Sequence, residues 1–474
     1  MDFSALTANQ LINGLREKKW TSEELVHFFC KRIKEIDKKY NSIPFLYEKQ
    51  ALAQAKQIDK NRQQGLPIGP LEGLPLTIKD AFRVADQKTT YGLYLYKNHK
   101  AKTDSQVIKA LKKSGAIIIG RTAVPTACFD WNCKNQIYAE CVNPHDKQRT
   151  PGGSSGGSAA ALSLKLTPLE LGSDIGGSIR YPAHCCGVMG FRTSDGWLPS
   201  KDWGPEGSKH AFDHFVTCGP MGRSFDDLSI VLDIFNKDFP IPKIKNPSEA
   251  LSKLNIAFSF GFLDLPCDDD TKICLEKSAD LLRASGHTVI EKSPDIDIEE
   301  AFETWALIVG YEYIRLMPSF IPSKFLKAKT LGLMILRKLG SPSRGRDMIL
   351  KGARLKKAEY EKALIKRDEL LVKVDEFFSE YDAWFTPVSA TPALALSNAG
   401  KTVNTHVGPK DYSYFIGSYL VPTALFGTPV LTFPIGKSKK ENLPIGVQVH
   451  SKRFGDLDLI EMAKKHFSQL VKAD

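Results

Sequence analysis

No run of apolar residues in this 474-residue chain approaches the length of a membrane span, and residues 1–20 hold no apolar stretch of signal-peptide length. The nine cysteines are odd in number and none shows CxxC spacing, which argues against a disulfide scaffold and against a zinc site. Reduced, buried thiols in a cytoplasmic setting are the expectation. Repeats and low-complexity segments are also missing. The 65 Lys and Arg against 54 Asp and Glu give a net charge of +11. These basic residues come as scattered pairs such as Lys38-Lys39 and Lys112-Lys113, with no stripe interleaved with aromatics. A solvated basic surface is therefore expected, and no nucleic-acid partner. The G-x-S-x-G elbow of many serine hydrolases is absent too, since residues 176–180 read GGSIR.

What is present is ordinary for a globular chain: 42% hydrophobic and 25% charged residues, enough to bury a sizeable core. Thr21 and Glu24 form a capping-box pattern ahead of Leu25, Val26, Phe29, Ile33 and Ile36 at helical spacing. Helices over 49–64 and 105–114 alternate with apolar strands over 74–80 and 116–121, which predicts an α/β sheet with covered faces. Residues 237–247, with three prolines, read as a linker or surface crossing. The rhythm returns with a strand over 255–259, a helix over 270–284 and a strand over 287–290. A long helical region follows over 298–380, broken by Pro318, Pro322 and a turn at 340–342. Strands over 383–387, 429–434 and 445–449 and a helix over 457–470 close the chain.

The centre of interest is residues 150–195. Two glycine-serine runs, GGSSGGS at 152–158 and GGS at 176–178, flank a small-residue segment at 159–164 that reads as a buried helix. Glycine lets backbone approach a ligand closely, and a flexible linker would not carry an apolar helix between its runs. The two runs are expected to form two walls of one site. Lys79 ends the strand at 74–80; taken alone, such a lysine reads as one that snorkels to the surface.

Taken together, the GGSSGGS run, the Asp174-Ile175-Gly176-Gly177-Ser178-Ile179-Arg180 run and Lys79 at the end of an earlier strand resemble the amidase signature family. The flanking words Gly120-Arg121-Thr122, Asn143-Pro144, Gly219-Pro220-Met221, Thr386-Pro387 and residues 444–448 agree in the same order. The resemblance runs from about residue 7 to the C-terminus. It implies one α/β domain over 1–474, with a large mixed β-sheet covered by helices on both faces and a helical lid over 298–380. It also implies hydrolysis of a small-molecule carboxamide, or an ester, with no metal or organic cofactor. Carried over by position, Ser178 is the nucleophile, Ser154 (in a cis peptide) the bridge and Lys79 the base. The chemistry is consistent: a serine hydroxyl needs an adjacent base, a lysine serves only when burial keeps it neutral, and a hydroxyl can both accept and donate a proton. The N–H groups of Ile175, Gly176, Gly177 and Ser178 are candidate oxyanion donors, and Ser155, Asp174 and Arg180 are expected to support the loops. His184 is expected to pack beneath the site rather than act as its base.

Ala123 and Thr126 depart from words that read Asn and Glu in several relatives. The A-type component of the glutamyl-tRNA amidotransferase belongs to the same family and is the enzymatic alternative: releasing ammonia from glutamine for a partner. Ile175 and residues 191–194 (FRTS) differ from that component's usual words, which favours a stand-alone amidase. A non-catalytic interaction protein on the same fold is the third reading. Substrate choice is expected within 298–370. Residues 320–339 mix apolar clusters with lysines, and the fatty acid amide hydrolases, which this chain resembles in the catalytic core, carry a membrane-binding cap in a comparable place. This leaves two readings of that stretch, a membrane-surface contact or a lid over an apolar acyl or aryl pocket.

Overall fold

The computed structural model describes residues 1–200, 203–206, 212–242, 252–262, 265–320, 344–405 and 407–472. All but the first residue of the basic apolar stretch at 320–339, the turn at 340–342 and the end of the proline-rich segment at 237–247 lie outside the described residues.

An eleven-stranded mixed sheet organises the molecule. In chain order its strands are β1 (Phe45–Leu46), β2 (Pro75–Lys79), β3 (Ile117–Thr122), β4 (Glu170–Asp174), β5 (Met189–Arg192) and β6 (Thr217–Gly222). They continue with β7 (Asn255–Phe258), β8 (Thr288–Glu291), β9 (Ala383–Pro387), β10 (Val430–Lys437) and β11 (Pro444–His450). Their spatial order is β1-β3-β2-β4-β6-β5-β10-β11-β9-β7-β8. β2 runs parallel to both β3 and β4, while β6, β5, β10 and β11 pair antiparallel in turn. The strands expected from the sequence are all there, within a residue or two at most ends.

Both faces of the sheet are covered. Side chains alternate across a strand, and along β7 and β9 neighbours fall into two separate cores. Ile256, Phe258, Ala383 and Phe385 pack on one face, and Ala257 and Trp384 on the other. The first face is covered by α1 (Ala8–Arg16), α2 (Ser22–Ile36), α3 (Glu48–Gln63), α4 (Gln106–Lys113), α7 (Phe225–Asp238), α8 (Asp269–Ala284) and α13 (Asp456–Met462). The second carries α6 (Arg180–Cys186), α9 (Ile298–Phe320), α10 (Arg344–Gly352), α11 (Lys357–Glu380) and α12 (Tyr412–Leu425). Between the two glycine-serine runs, α5 (Gly156–Ser163) is buried from Gly156 through Leu162, as expected.

The helix caps include the one the sequence announces. Thr21 and Glu24 close a reciprocal capping box at α2, and Ser224 caps α7. The closing helix is shorter than its apolar pattern: α13 ends at Met462 and passes through a π turn and a 3-10 turn to Leu470. Eight of the nine cysteines are buried free thiols, and Cys274 is half-buried. No described helix is long and apolar enough to cross a membrane.

Candidate active site

Parallel strands place their carboxyl ends on one edge of a sheet, where ligands bind in α/β folds. Here β2 ends at Lys79 and its parallel neighbour β4 ends at Asp174, in the register Thr77 to Glu170 and Ile78 to Leu171. The two glycine-serine loops meet at this edge. The Gly153–Ser154 peptide is cis, and a Cβ at Gly153 would lie 2.2 Å from the Asn132 carbonyl oxygen, so only glycine fits there. Gly177 has φ +106°, with Leu420 2.5 Å from where its Cβ would be, and needs glycine on both counts.

Lys79 is fully buried, contrary to the surface reading of a strand-end lysine. Its Nζ contacts Ser154 Oγ at 2.7 Å, Ser173 Oγ at 2.9 Å and the Ser173 carbonyl at 3.1 Å. Burial disfavours the ammonium and brings the amine down to about 8, with nearby acidic groups such as Cys128 and Asp174 acting in the opposite sense. Ser155 donates its hydroxyl to the Ser173 carbonyl at 3.4 Å and its N–H to the Ser178 carbonyl at 3.1 Å, which fastens the two loops together. Ser178 lines a cavity and is 7% exposed. Among the described residues no hydrogen bond joins the Ser154 and Ser178 hydroxyls, a link that in resting sites often tightens only with substrate bound.

Asp174 organises the second loop. Its carboxylate accepts from the N–H of Gly177 at 2.7 Å and of Ile179 at 3.1 Å, and from Arg180 Nε and Nη2 at 3.0 and 3.1 Å. Burial alone would raise its pKa, but Arg180, Arg192 and these N–H donors hold it well below the usual carboxylate range. Arg180 also reaches Thr423 Oγ1, Gln448 Oε1 and the Leu420 carbonyl, and so ties the loop to α12 and β11. This arrangement corrects one expectation. The Gly177 N–H is committed to Asp174, while those of Ile175, Gly176 and Ser178 make no hydrogen bond among the described residues.

Two side chains stand out that carry no signal in the sequence. The indole N–H of Trp305 on α9 donates to the Ile175 carbonyl at 3.0 Å, and that of Trp131 to the Gly176 carbonyl at 2.9 Å. Each contact spans a long stretch of chain, so no spacing announces it. Ser173, also missed, was within reach as the neighbour of Asp174.

His184 is buried, and among the described residues no hydrogen bond joins it to Lys79, Ser154 or Ser178. It accepts from the Gly446 N–H at Nδ1 and meets the Thr391 carbonyl through Nε2 at 3.1 Å, and burial lowers its pKa to about 4. The cavity beside Ser178 has a volume of about 80 Å³. Its lining is chiefly apolar, including Phe129, Trp131, Phe302, Trp305, Ile349 and Val421, with Asp130 and Arg346 as charged members.

The family model described as Amidase matches residues 24–460. The chain belongs to the amidase family. Similar members include the A-type component of the glutamyl-tRNA(Gln) amidotransferase of Koribacter versatilis, 30% identical with 98% of each chain covered. Its namesake from Clostridium botulinum (strain Eklund 17B) is 27% identical over 98% of this chain and 97% of its own. Among solved structures, a bacterial aryl acylamidase of the amidase signature enzymes superposes with a TM-score of 0.83 at 20% identity, covering 98% and 97% of the two chains. A fatty acid amide hydrolase gives 0.81 at 21%, covering 99% of this chain and 86% of the other. The large mixed sheet flanked by helices is thus the fold of this family.

Proposed function

We propose that this amidase-family member is an amidase that hydrolyses a carboxamide bearing an apolar or aryl acyl group through an acyl-enzyme on Ser178. The observation that carries the reading is the buried Lys79 amine 2.7 Å from Ser154, beside a cavity that Ser178 lines. Neutral Lys79 accepts the Ser154 proton as Ser154 accepts that of Ser178, and Ser178 Oγ bonds to the substrate carbonyl carbon. The tetrahedral oxyanion faces free backbone N–H groups of the 175–178 loop. Its collapse breaks the C–N bond, and the proton held on Lys79 returns through Ser154 to the leaving amine. A water molecule then repeats the relay and releases the carboxylic acid. Asp174, Arg180 and Ser155 hold the loops and do not react, and no metal or organic cofactor enters the scheme. The helices α9, α10 and α11 serve as the lid of the acyl chamber.

A second reading is supported by the names of the relatives: an amidotransferase A-type component that releases ammonia from glutamine for a partner. Asp130 and Arg346 favour it, because an anion and a cation in one cavity suit an amino acid's ammonium and carboxylate. Against it stands the apolar remainder of the lining. Intact mass after exposure to a fluorophosphonate tests the shared chemistry: one adduct, mapped to Ser178 and lost in Ser178→Ala, is expected. Turnover of aryl and short-chain amides by the isolated chain separates the readings, since glutamine turnover confined to a partner complex favours the second. A folded protein without an adduct overturns both.

A further inference from the structure

Oxyanion donors are effective only when they are aimed before charge develops. In a trans peptide the carbonyl and the N–H of the next residue point in opposite directions, so a bond to one aims the other. Each unengaged N–H of the 175–178 loop sits on a peptide whose carbonyl is held. The Asp174 carbonyl accepts from Thr217 Oγ1 at 3.4 Å, the Ile175 carbonyl from Trp305 Nε1 at 3.0 Å and the Gly177 carbonyl from the Tyr181 N–H at 2.8 Å. Thr217 and Tyr181 belong to the sheet and to α6, close to the loop. Trp305 alone comes from α9, the helix that also lines the cavity through Phe302.

We infer that Trp305 is a positioning residue that aims the Gly176 N–H at the oxyanion and so couples the cap helix to the reaction; this rests on the acyl-enzyme reading above. Trp305 is 3% exposed, and a Cβ on Gly176 would come within 2.8 Å of its ring, so indole and loop are in direct contact. Two turns further along α9, Glu312 accepts from the N–H groups of Asp213 and His214 at 3.1 and 3.3 Å and from Tyr360 at 2.7 Å. The helix carrying Trp305 is therefore anchored to the segment that leads into β6. Trp131 supplies a contrast. It holds the Gly176 carbonyl, but the N–H of that peptide already belongs to Asp174, so Trp131 aims no free donor.

Trp305→Phe keeps an aromatic ring at the position and removes the N–H together with the five-membered half of the indole. Losing a whole oxyanion donor costs about 10²–10³ in kcat, and a misaimed donor retains part of its effect. Trp305→Phe should therefore lower kcat about tenfold with KM changed less than about threefold, and weaken binding of a trifluoromethyl ketone analogue by the same factor as kcat. Trp131→Phe should lower kcat less. A folded Trp305→Phe with kcat within twofold of wild type, or with its loss confined to KM, overturns the inference. If Trp305→Phe does not fold, 3-benzothienylalanine at position 305 replaces the N–H with sulfur on the same ring outline and is read by the same criteria. A wild type that forms no Ser178 adduct removes the acyl-enzyme reading and this inference with it. A reactive wild type beside an unaffected Trp305→Phe removes the inference alone.

Discussion

The two sides of the cavity are built from different materials. On one side, residues 150–180 use glycine, serine and backbone, with Asp174 and Arg180 fully buried in the loops and Lys79 fully buried beside them. On the other, α9, α10 and α12 present bulky side chains: Phe302, Trp305, Ile349, Tyr412 and Val421. Backbone geometry tolerates little change, because a donor displaced by an ångström loses its target. Apolar side chains can be exchanged at the cost of volume alone. The first side is suited to fix a reaction, the second to select what reacts.

The sharpest way to break this contrast is at Lys79. Lys79→Met retains volume and removes the amine, and turnover should fall by on the order of 10³-fold or more. In the wild type, kcat/KM should rise with pH as the amine loses its proton near about 8, then level off. The sign for stability follows from the lowered pKa. An unfolded lysine holds its proton to about 10.4, so the native state carries a penalty below pH 8 that shrinks as pH rises between the two values. Lys79→Met should consequently melt no lower than wild type at pH 7. A clear fall in melting temperature, or a rate still near wild type, would remove Lys79 as the buried base.

How much of this was legible follows the same division. The glycine-serine runs show in sequence because a position with no room for a Cβ leaves a glycine to read, even where distant residues do the crowding, Asn132 at Gly153 and Leu420 at Gly177. Register then follows, since β2 and β4 are adjacent parallel strands ending at Lys79 and Asp174. Burial of Lys79 was not legible from its own strand; it depends on α5 and the loop at 173–178 closing over it. α12 escaped notice for another reason. Twelve of its fourteen residues are buried on all sides, so it shows no amphipathic period, and Pro422 within it argues against a helix. The indole contacts of Trp131 and Trp305 were invisible, since a hydrogen bond across 45 or 130 residues leaves no spacing to read.

Asp174 and Glu170, at the two ends of β4, sharpen the contrast within the reactive side. Both are fully buried, yet Glu170, held mainly by Thr77, Ser158 and Thr122 hydroxyls with Arg121 nearby, is raised by burial to about 7. Asp174 faces two buried guanidiniums and stays ionised. Asp174→Asn leaves Arg180 and Arg192 without their carboxylate and should cost about 3–5 kcal/mol of stability, measured by denaturant unfolding. The wild-type contribution is full at neutral pH and declines as pH falls below the ordinary aspartate value of about 3.9. Glu170→Gln, which removes a charge only partly present near pH 7, should cost less. Equal losses would mean that the guanidiniums do not set the difference.

The smallest expected effect lies on the opposite side. Ile349 is half-buried and borders the cavity from α10. Ile349→Ala enlarges the chamber without touching the 152–178 loops, and one methylene of pocket fit is worth about 1–3 kcal/mol. KM for bulkier aryl or branched acyl amides should fall about tenfold relative to a small acyl amide, with kcat for the small substrate within twofold. Steady-state kinetics on a graded acyl series measures both. A uniform fall in kcat across the series would show that α10 acts on the reaction as well as on the choice of substrate. Trp305 would then be one of several routes by which α9 and α10 reach the 175–178 loop, and the two sides would form one unit.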